Sequence, residues 1–329
     1  MKNIDKNLIG FCIPTYNRET ELSECLRTVT REVLSYNFPI YVSDNDSKDN
    51  TQTVVSEYKK VYNNIEYNKN STNLGLYLNI LNVIKMAKTD YIWLLGDDDA
   101  VKENSIDIVT EKLKSGYDFI ILNSVPYDTS LKVAKFNKNI LCSEDKEYPL
   151  GKSGTLLVDL RKKAYHGYIS SMVIRTKLLQ DLIPKYEDTK FVLYGNIWFP
   201  TAMFYEAIIE KCGIFICKPV VLNRANLRPS EKNFWNYIYL DHIKALEYLE
   251  NIGYTQHILK KAFDSDTISN IYIILNAKYS NKRIHIFDRY IKSSEILPLR
   301  TKLLIFGIDR MPFSILRTIK MVLWRNRDS

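Results

Sequence analysis

Three consecutive carboxylates, Asp97-Asp98-Asp99, follow the apolar run Tyr91-Ile92-Trp93-Leu94-Leu95 and a single glycine, Gly96. Like charges packed into one turn repel one another and call for a cation or an array of donors. Oxygen-only ligands on a loop suit a hard ion, Mg2+ or Mn2+, which completes its shell with phosphate oxygens and water. A diphosphate is the ligand such a cluster implies. The alternative is an acidic, solvated turn, and the position past a buried strand weighs against it. A second cluster, Val42-Ser43-Asp44-Asn45-Asp46-Ser47-Lys48-Asp49-Asn50-Thr51, also follows an apolar run. Here Asp44 is the candidate to accept a hydrogen bond from a pyrimidine N–H or a ribose hydroxyl, whereas Asp49 suits a helix cap. Pro14-Thr15-Tyr16-Asn17-Arg18, after the run Ile9 to Ile13, offers backbone and hydroxyl contacts to a nucleotide, or else Pro14 and Asn17 only shape the turn.

The elements that must position these clusters can be read from periodicity. Short β-rich runs alternate with helical stretches, the pattern of parallel strands joined by crossover helices. The expected order is strand Ile9 to Ile13, helix Glu19 to Leu34, strand Ile40 to Val42, helix Asn50 to Val61 and strand Ile65 to Tyr67. A helix opened by Gly75 follows, with Leu78, Leu81, Val83, Ile84 and Ala87 at helical spacing. Strand Tyr91 to Leu95, helix Ser105 to Leu113 and strand Tyr117 to Leu122 complete the unit. Such βα steps imply a doubly wound sheet, whose ligands bind at the carboxyl ends of the strands, where all three polar clusters fall. Beyond it come a loop-like stretch over 126–155, strands Gly167 to Ile174 and Gly213 to Leu222, and a Tyr- and Ile-rich helical region over 236–292.

Composition narrows the function classes. The chain has 329 residues and is 46% hydrophobic, ample for a packed core. Of the net charge of +8, +7 lies in residues 282–329, with eleven basic against four acidic residues, so a nucleic-acid surface is not indicated. Cys12, Cys25, Cys142, Cys212 and Cys217 form no CxxC pair, and four histidines lack metal spacing. With no apolar secretion segment and no apolar run of about 18 residues, a reduced, cytoplasmic setting is expected.

Together, Ile13-Pro14-Thr15-Tyr16-Asn17-Arg18, the stretch Val42 to Thr51, Asn73-Leu74-Gly75 with Asn79, and Tyr91 to Asp99 resemble the family-2 glycosyltransferases, which have the GT-A fold. Ser43-Asp44-Asn45, the triple Asp after Trp-Leu-Leu-Gly, and Ile169-Ser170-Ser171-Met172-Val173-Ile174-Arg175 look like the abequosyltransferase-like branch, whose members build bacterial surface polysaccharides. The resemblance implies a GT-A doubly wound mixed sheet with a C-terminal helical region: a donor half over 1–125, an acceptor half over 126–235, and helices over 236–329. It implies that Asp44 reads the base, that Pro14, Thr15, Tyr16, Asn17, Arg18 and Asn73 flank the nucleotide, and that Asp97 and Asp98 hold ribose and diphosphate. Asp99 and Asp97 would bind the Mg2+ or Mn2+.

One departure concerns the base. Many inverting relatives carry Glu-Asp before a Trp-containing helix; here Tyr194-Gly195-Asn196-Ile197-Trp198 has no carboxylate, and Asn196 takes no proton at neutral pH. Asp188 or Glu187 is then the candidate base, unless the anomeric configuration is retained or catalysis is weakened. Ser170, Ser171, Asn196, Trp198, Arg224 and Arg228 are assigned to the acceptor or diphosphate side, Arg224 and Arg228 on a basic loop that either closes on the diphosphate or stays solvated. His166 has a structural and a catalytic reading. In the tail, Ile315, Leu316, Ile319, Val322 and Leu323 share a helical arc with Arg317, Lys320, Arg325 and Arg327 off it, which suits an anionic membrane surface, or else a helix docked on the protein's own core or on an oligomer interface. The expected enzyme is peripheral on the inner face of the cell membrane and moves a sugar from a nucleotide-sugar donor to a glycan or lipid-linked glycan. A sugar-nucleotide pyrophosphorylase would need a glycine-rich loop after the first strand, and residues 13–18 contain no glycine. A non-catalytic nucleotide-sugar binder is the rival from another class.

Overall fold

The computed structural model describes residues 5–127, 144–161, 167–188, 198–224, 242–264, 299–312 and 315. The expectations for His166, Asn196, Arg228 and the basic tail beyond Ile315 therefore lie outside the described residues. The contacts divide the chain into two units. The first holds nearly all of the N-terminal half and carries the sheet.

Its elements are β1 (Ile9–Thr15), α1 (Glu19–Val33), β2 (Ile40–Asp44), α2 (Thr51–Val61), β3 (Ile65–Lys69), α3 (Gly75–Met86), β4 (Tyr91–Leu94), β5 (Ala100–Val101), α4 (Ser105–Leu113) and β6 (Phe119–Tyr127). There follow β7 (Lys146–Tyr148), α5 (Ser153–Arg161), which runs into the second unit, a 3-10 turn (Ile169–Ser171), β8 (Met172–Arg175), α6 (Thr176–Gln180), α7 (Ile183–Glu187), α8 (Phe199–Ala207) and β9 (Gly213–Arg224).

Among the described residues the strands form one nine-stranded sheet in the order β3-β2-β1-β4-β8-β6-β9-β5, with β7 also on β9. The first four run parallel, in register Thr15 with Asp44 and Cys12 with Leu94. β8 is antiparallel to both β4 and β6, β6 and β9 are parallel, and β5 returns antiparallel on β9. This is the expected doubly wound mixed sheet. The chain winds outward through β1, β2 and β3, then crosses to the other side of β1 for β4. The carboxyl ends of β1 and β4 thus flank a topological switch point, where open α/β sheets bind ligands.

Side-chain alternation explains the layers. Ile9, Phe11, Ile13, Val42 and Trp93 face one side and bury with Leu22, Leu26 and Val29 of α1 and Ile106 and Val109 of α4. Cys12 points to the opposite face, where its thiol donates to the Val83 carbonyl of α3 at 3.5 Å. Phe11 and Trp93 stack at 4.9 Å on neighbouring strands, and both are fully buried.

Two expectations are corrected. Gly167 to Ile174 is not one strand: residues 169–171 turn so that the Ser170 carbonyl accepts the Trp93 indole N–H at 2.9 Å, sparing a buried donor. The segment ending in Arg224 is not a loop after a strand at Leu222, because β9 continues through Arg224, paired with Tyr127 of β6. The two-residue strand β5 had no periodicity to announce it. The second unit includes α9 (His242–Asn251), α10 (Gln256–Asp264) and α11 (Leu299–Arg310); α9 packs on α10. No helix among the described residues is long and apolar enough to cross a membrane.

Candidate active site

The loops after β1 and β2 are fastened to each other before any ligand is considered. Asn17 takes a positive φ of 51°, which asparagine tolerates better than most residues. Its amide N–H donates to Ser47 Oγ at 2.8 Å, and its side-chain oxygen accepts from the Lys48 N–H at 2.7 Å. Asp49 accepts from the Thr51 N–H at the start of α2 and from the Glu19 N–H at the start of α1, and Glu19 in turn accepts from the Asn50 N–H. One exchange of carboxylates therefore caps two helices.

Asp44 closes this cluster from inside. It is fully buried, its Oδ1 accepting from the Ser47 N–H at 2.8 Å and its Oδ2 from the Tyr67 hydroxyl at 2.6 Å. The neighbouring amide, Asn45, is also buried and borders the adjoining cavity. Its NH2 donates to Asn73 Oδ1 at 2.8 Å, and its oxygen accepts from the Leu74 N–H and from Asn70. Asn79 completes the network, accepting from the Ser43 hydroxyl and donating to the carbonyls of Thr15 and Ser43. Asn73 also accepts from the N–H of Gly75, whose φ of 82° starts α3 in a conformation that costs a glycine little.

The acidic turn after β4 is arranged differently. Asp99 is buried, its Oδ2 accepting from the hydroxyls of Ser170 at 2.6 Å and Tyr168 at 2.8 Å, and its Oδ1 from the Arg224 N–H at 2.9 Å. Ser170 Oγ also accepts from the Gly96 N–H at 2.9 Å, so one side chain pins both ends of the turn. Arg224 Nε donates to the Asp98 carbonyl at 2.8 Å, and its guanidinium pairs with Glu24 of α1. Asp97 and Asp98 share a single cation: Arg18 Nη1 lies 2.8 Å from Asp97 Oδ1 and 2.8 Å from Asp98 Oδ2. The Arg18 side chain is 41% exposed, that of Asp98 25% and that of Asp97 8%, so the cation sits at the mouth of the turn.

This burial has an electrostatic consequence. Desolvation raises the Asp97 pKa to about 6, against the attraction of Arg18 and with the repulsion of Asp98. Desolvation and Asp98 likewise push Asp99 up, although Ser170, the Arg224 N–H and Tyr168 oppose the shift. Burial works against the charge on Arg18, but the two carboxylates outweigh it and raise its pKa. The Cys25 thiol, 3.8 Å from the Gly96 carbonyl, is held protonated by burial and then by the three aspartates, so it is no nucleophile.

Between these loops lies a cavity of about 310 Å3, lined by Pro14, Thr15, Tyr16 and Arg18 after β1, Asn45 after β2, Asn73, Gly75, Leu76 and Asn79 around the start of α3, and Asp97. Of the residues singled out in the sequence, Pro14, Thr15, Tyr16, Arg18, Asn73 and Asp97 thus meet in one place. Asp44 and Asn17 brace its walls. Ser170 and Asp99 lie beneath the acidic turn, and Ser171 donates to the Tyr168 carbonyl at 2.6 Å. Trp198 belongs to the second unit, its ring 4.7 Å from that of His242. Asp188 is exposed at the end of α7, next to Glu187, which pairs with Lys85. Among the described residues no three acidic, thiol or imidazole groups converge as a ready metal nest, because Asp99 is turned inward. Sequence reasoning passed over Tyr168 and Glu24. Neither lies near its partner in the chain, Glu24 being 200 positions from Arg224.

The family model described as "Glycosyl transferase family 2" matches residues 11–183, just over half of the chain. The chain belongs to that family. Within it, the chain falls in the abequosyltransferase-like branch and is a glycosyltransferase. An abequosyltransferase of Salmonella typhimurium is 28% identical over 271 residues, covering 78% of this chain and 79% of the relative. A GalNAc(5)-diNAcBac-PP-undecaprenol beta-1,3-glucosyltransferase of Campylobacter jejuni is 20% identical over 244 residues, 74% of each chain. Two solved structures share the fold. TarS of S. aureus in complex with UDP-GlcNAc superposes with a TM-score of 0.66 at 13% identity, over 97% of this chain and 92% of that one. A mannosyltransferase of Pyrobaculum calidifontis in complex with GDP-Man and Mn2+ gives a TM-score of 0.55 at 12% identity, over 95% and 83%. The GT-A architecture is therefore established, and the pyrophosphorylase reading is set aside.

Proposed function

We propose that this glycosyltransferase moves one sugar from a nucleoside-diphosphate donor, with the help of Mg2+ or Mn2+, to a hydroxyl of a growing, lipid-linked bacterial surface glycan. The observation that carries this reading is the cavity at the switch point, whose one wall is uncharged amides and whose other wall is Asp97 with Arg18 beside it. The relatives' names support it: one is an abequosyltransferase, another acts on an undecaprenol-linked acceptor, and the fold neighbours were solved with UDP-GlcNAc and with GDP-Man and Mn2+.

In this reading the nucleoside lies between Tyr16 and Leu76, exposed apolar side chains on either rim, and hydrogen-bonds the amides of Asn45 and Asn73. Asp44, held beneath them by the Ser47 N–H and the Tyr67 hydroxyl, is assigned the reading of the base. The diphosphate lies toward Arg18 and the acidic turn. Asp97 and Asp98 fit a divalent ion, since they already share one cation and such an ion takes one or two carboxylates beside phosphate oxygens. When bound, that ion neutralises the charge on the departing diphosphate. Asp99 fixes the turn that presents them, held by Ser170, Tyr168 and the Arg224 N–H. Asp188 is assigned the acceptor hydroxyl's proton.

We further assign donor binding to residues 1–125, acceptor choice to 126–235, and contact with an anionic membrane surface to the basic tail of the helical region 236–329. Calorimetry with UDP, CDP, GDP and dTDP, each with Mn2+ and with EDTA, tests the donor site on the wild type and on Asp98→Ala. One nucleotide should bind with Mn2+ and be lost with EDTA or with the substitution. Failure of all four to bind in the presence of Mn2+ overturns the assignment.

A further inference from the structure

We infer that Arg18 and a divalent ion are alternative occupants of the Asp97–Asp98 pair, so that Arg18 makes metal binding conditional on the donor: the diphosphate takes up the guanidinium as the ion takes the carboxylates. The inference rests on the donor-site reading above and assigns it a binding order.

The geometry is specific. A single nitrogen, Nη1, lies 2.8 Å from one oxygen of each carboxylate, the position between the two side chains that an ion held by both would need. The side chain is free to leave: Arg18 precedes the first turn of α1, is 41% exposed and lines the open cavity. The other arginine of the site lacks that freedom, being buried and tied to the Asp98 carbonyl and to Glu24. The third carboxylate does not compete, because Asp99 is satisfied by three donors of its own.

Charge counting gives the direction. Two carboxylates and one guanidinium sum to −1, and a divalent ion replacing the guanidinium brings the pair to zero. A released guanidinium facing only water gains nothing, so the ion alone must work against the lost pair. With a diphosphate present, the same guanidinium meets phosphate oxygens, which it binds as well as carboxylate. Metal and nucleotide therefore bind cooperatively, and the coupling is reciprocal.

The test reads metal binding directly, through loss of the electron paramagnetic resonance signal of free Mn2+ in a titration of the full chain without nucleotide. Arg18→Met keeps the length of the side chain and removes the charge. It should bind Mn2+ about two- to fivefold more tightly than wild type, the range expected for freeing a half-exposed ion pair. Adding Asp98→Asn to that variant should abolish the gain. Arg18→Lys, which keeps one charge but lacks the planar fork, should fall between them and serves if the methionine variant does not fold. UDP, CDP, GDP and dTDP, added in turn at saturation, should tighten Mn2+ binding in wild type more than in Arg18→Met for the nucleotide that binds. Equal Mn2+ affinity of folded wild type and both variants overturns the inference while leaving the donor site intact. Absence of Mn2+-dependent binding of any of the four nucleotides, with the nucleotide-free gain present, overturns the donor reading and the binding order that rests on it, and leaves only the competition of Arg18 with the ion.

Discussion

The two acidic turns of this chain look alike in sequence and are opposite in structure. The turn after β2 is closed: Asp44 is fully buried, with one oxygen on the Ser47 N–H and the other on the Tyr67 hydroxyl, and Asp49 caps two helices. The turn after β4 differs at its first two carboxylates, the buried Asp97 and the partly exposed Asp98, which share the half-exposed Arg18. What separates a structural carboxylate from a ligand-binding one is who supplies the donors. When backbone N–H groups and a neighbouring hydroxyl supply them, the charge is spent inside the fold. When a half-exposed side-chain cation does, the charge is the easier one for a ligand to reach. The third aspartate shows the same arrangement of donors, Asp99 accepting from Ser170, Tyr168 and the Arg224 N–H.

The comparison can be broken most forcefully at the turn after β4. Asp98→Asn should lower kcat by about 100-fold or more, the loss typical of a group that stabilises developing charge, and change the denaturation midpoint little. Initial rates alongside a urea melt check both halves; a large stability loss with unchanged kcat would reverse the assignment. At the closed turn the expectation is inverted. Asp44→Ala leaves the buried Ser47 N–H and the Tyr67 hydroxyl without an acceptor and should cost about 2–6 kcal/mol in the same melt, roughly 1–3 for each orphaned donor.

A subtler discrimination is pH. Burial raises the Asp97 pKa from 3.8 to about 6, so the folded protein holds that proton more tightly than the unfolded chain does. The associated stability is fully present below 3.8 and is lost as pH rises through about 6, which amounts to about 1 kcal/mol between pH 5 and pH 7. Denaturation curves of the ligand-free protein should show that decline, and Asp97→Asn should flatten it. The smallest effect is expected for Asp49→Ala, where the helix starts lose a cap: about 1 kcal/mol from the melt, with nucleotide affinity unchanged by calorimetry.

Much of this was legible before any coordinates. Alternating apolar runs and helical spacing located the first four strands and the helices between them, because their hydrophobic periods are local properties of the chain. The polar residues at Thr15, Asn45 and Asp97 were assigned to the strand ends for the same reason. The strand expected over 167–174 begins only at Met172, and the turn before it meets a partner the local pattern does not contain, the Trp93 indole 77 positions away.

The amino-acid sequence by itself settled the class of sheet, the strand ends at which a ligand would meet it, and the family to which the chain belongs, all carried by short-range patterns of apolar spacing and turn chemistry. Only the tertiary structure decided which donors each acidic residue meets. That depends on Ser170, Arg224 and Glu24 converging on one turn from distant segments, and on Tyr67 reaching Asp44 from the neighbouring strand. The strength of a carboxylate's pull on a ligand depends on the donors that already surround it, and those donors are chosen by the sheet order, not by the neighbours in the chain.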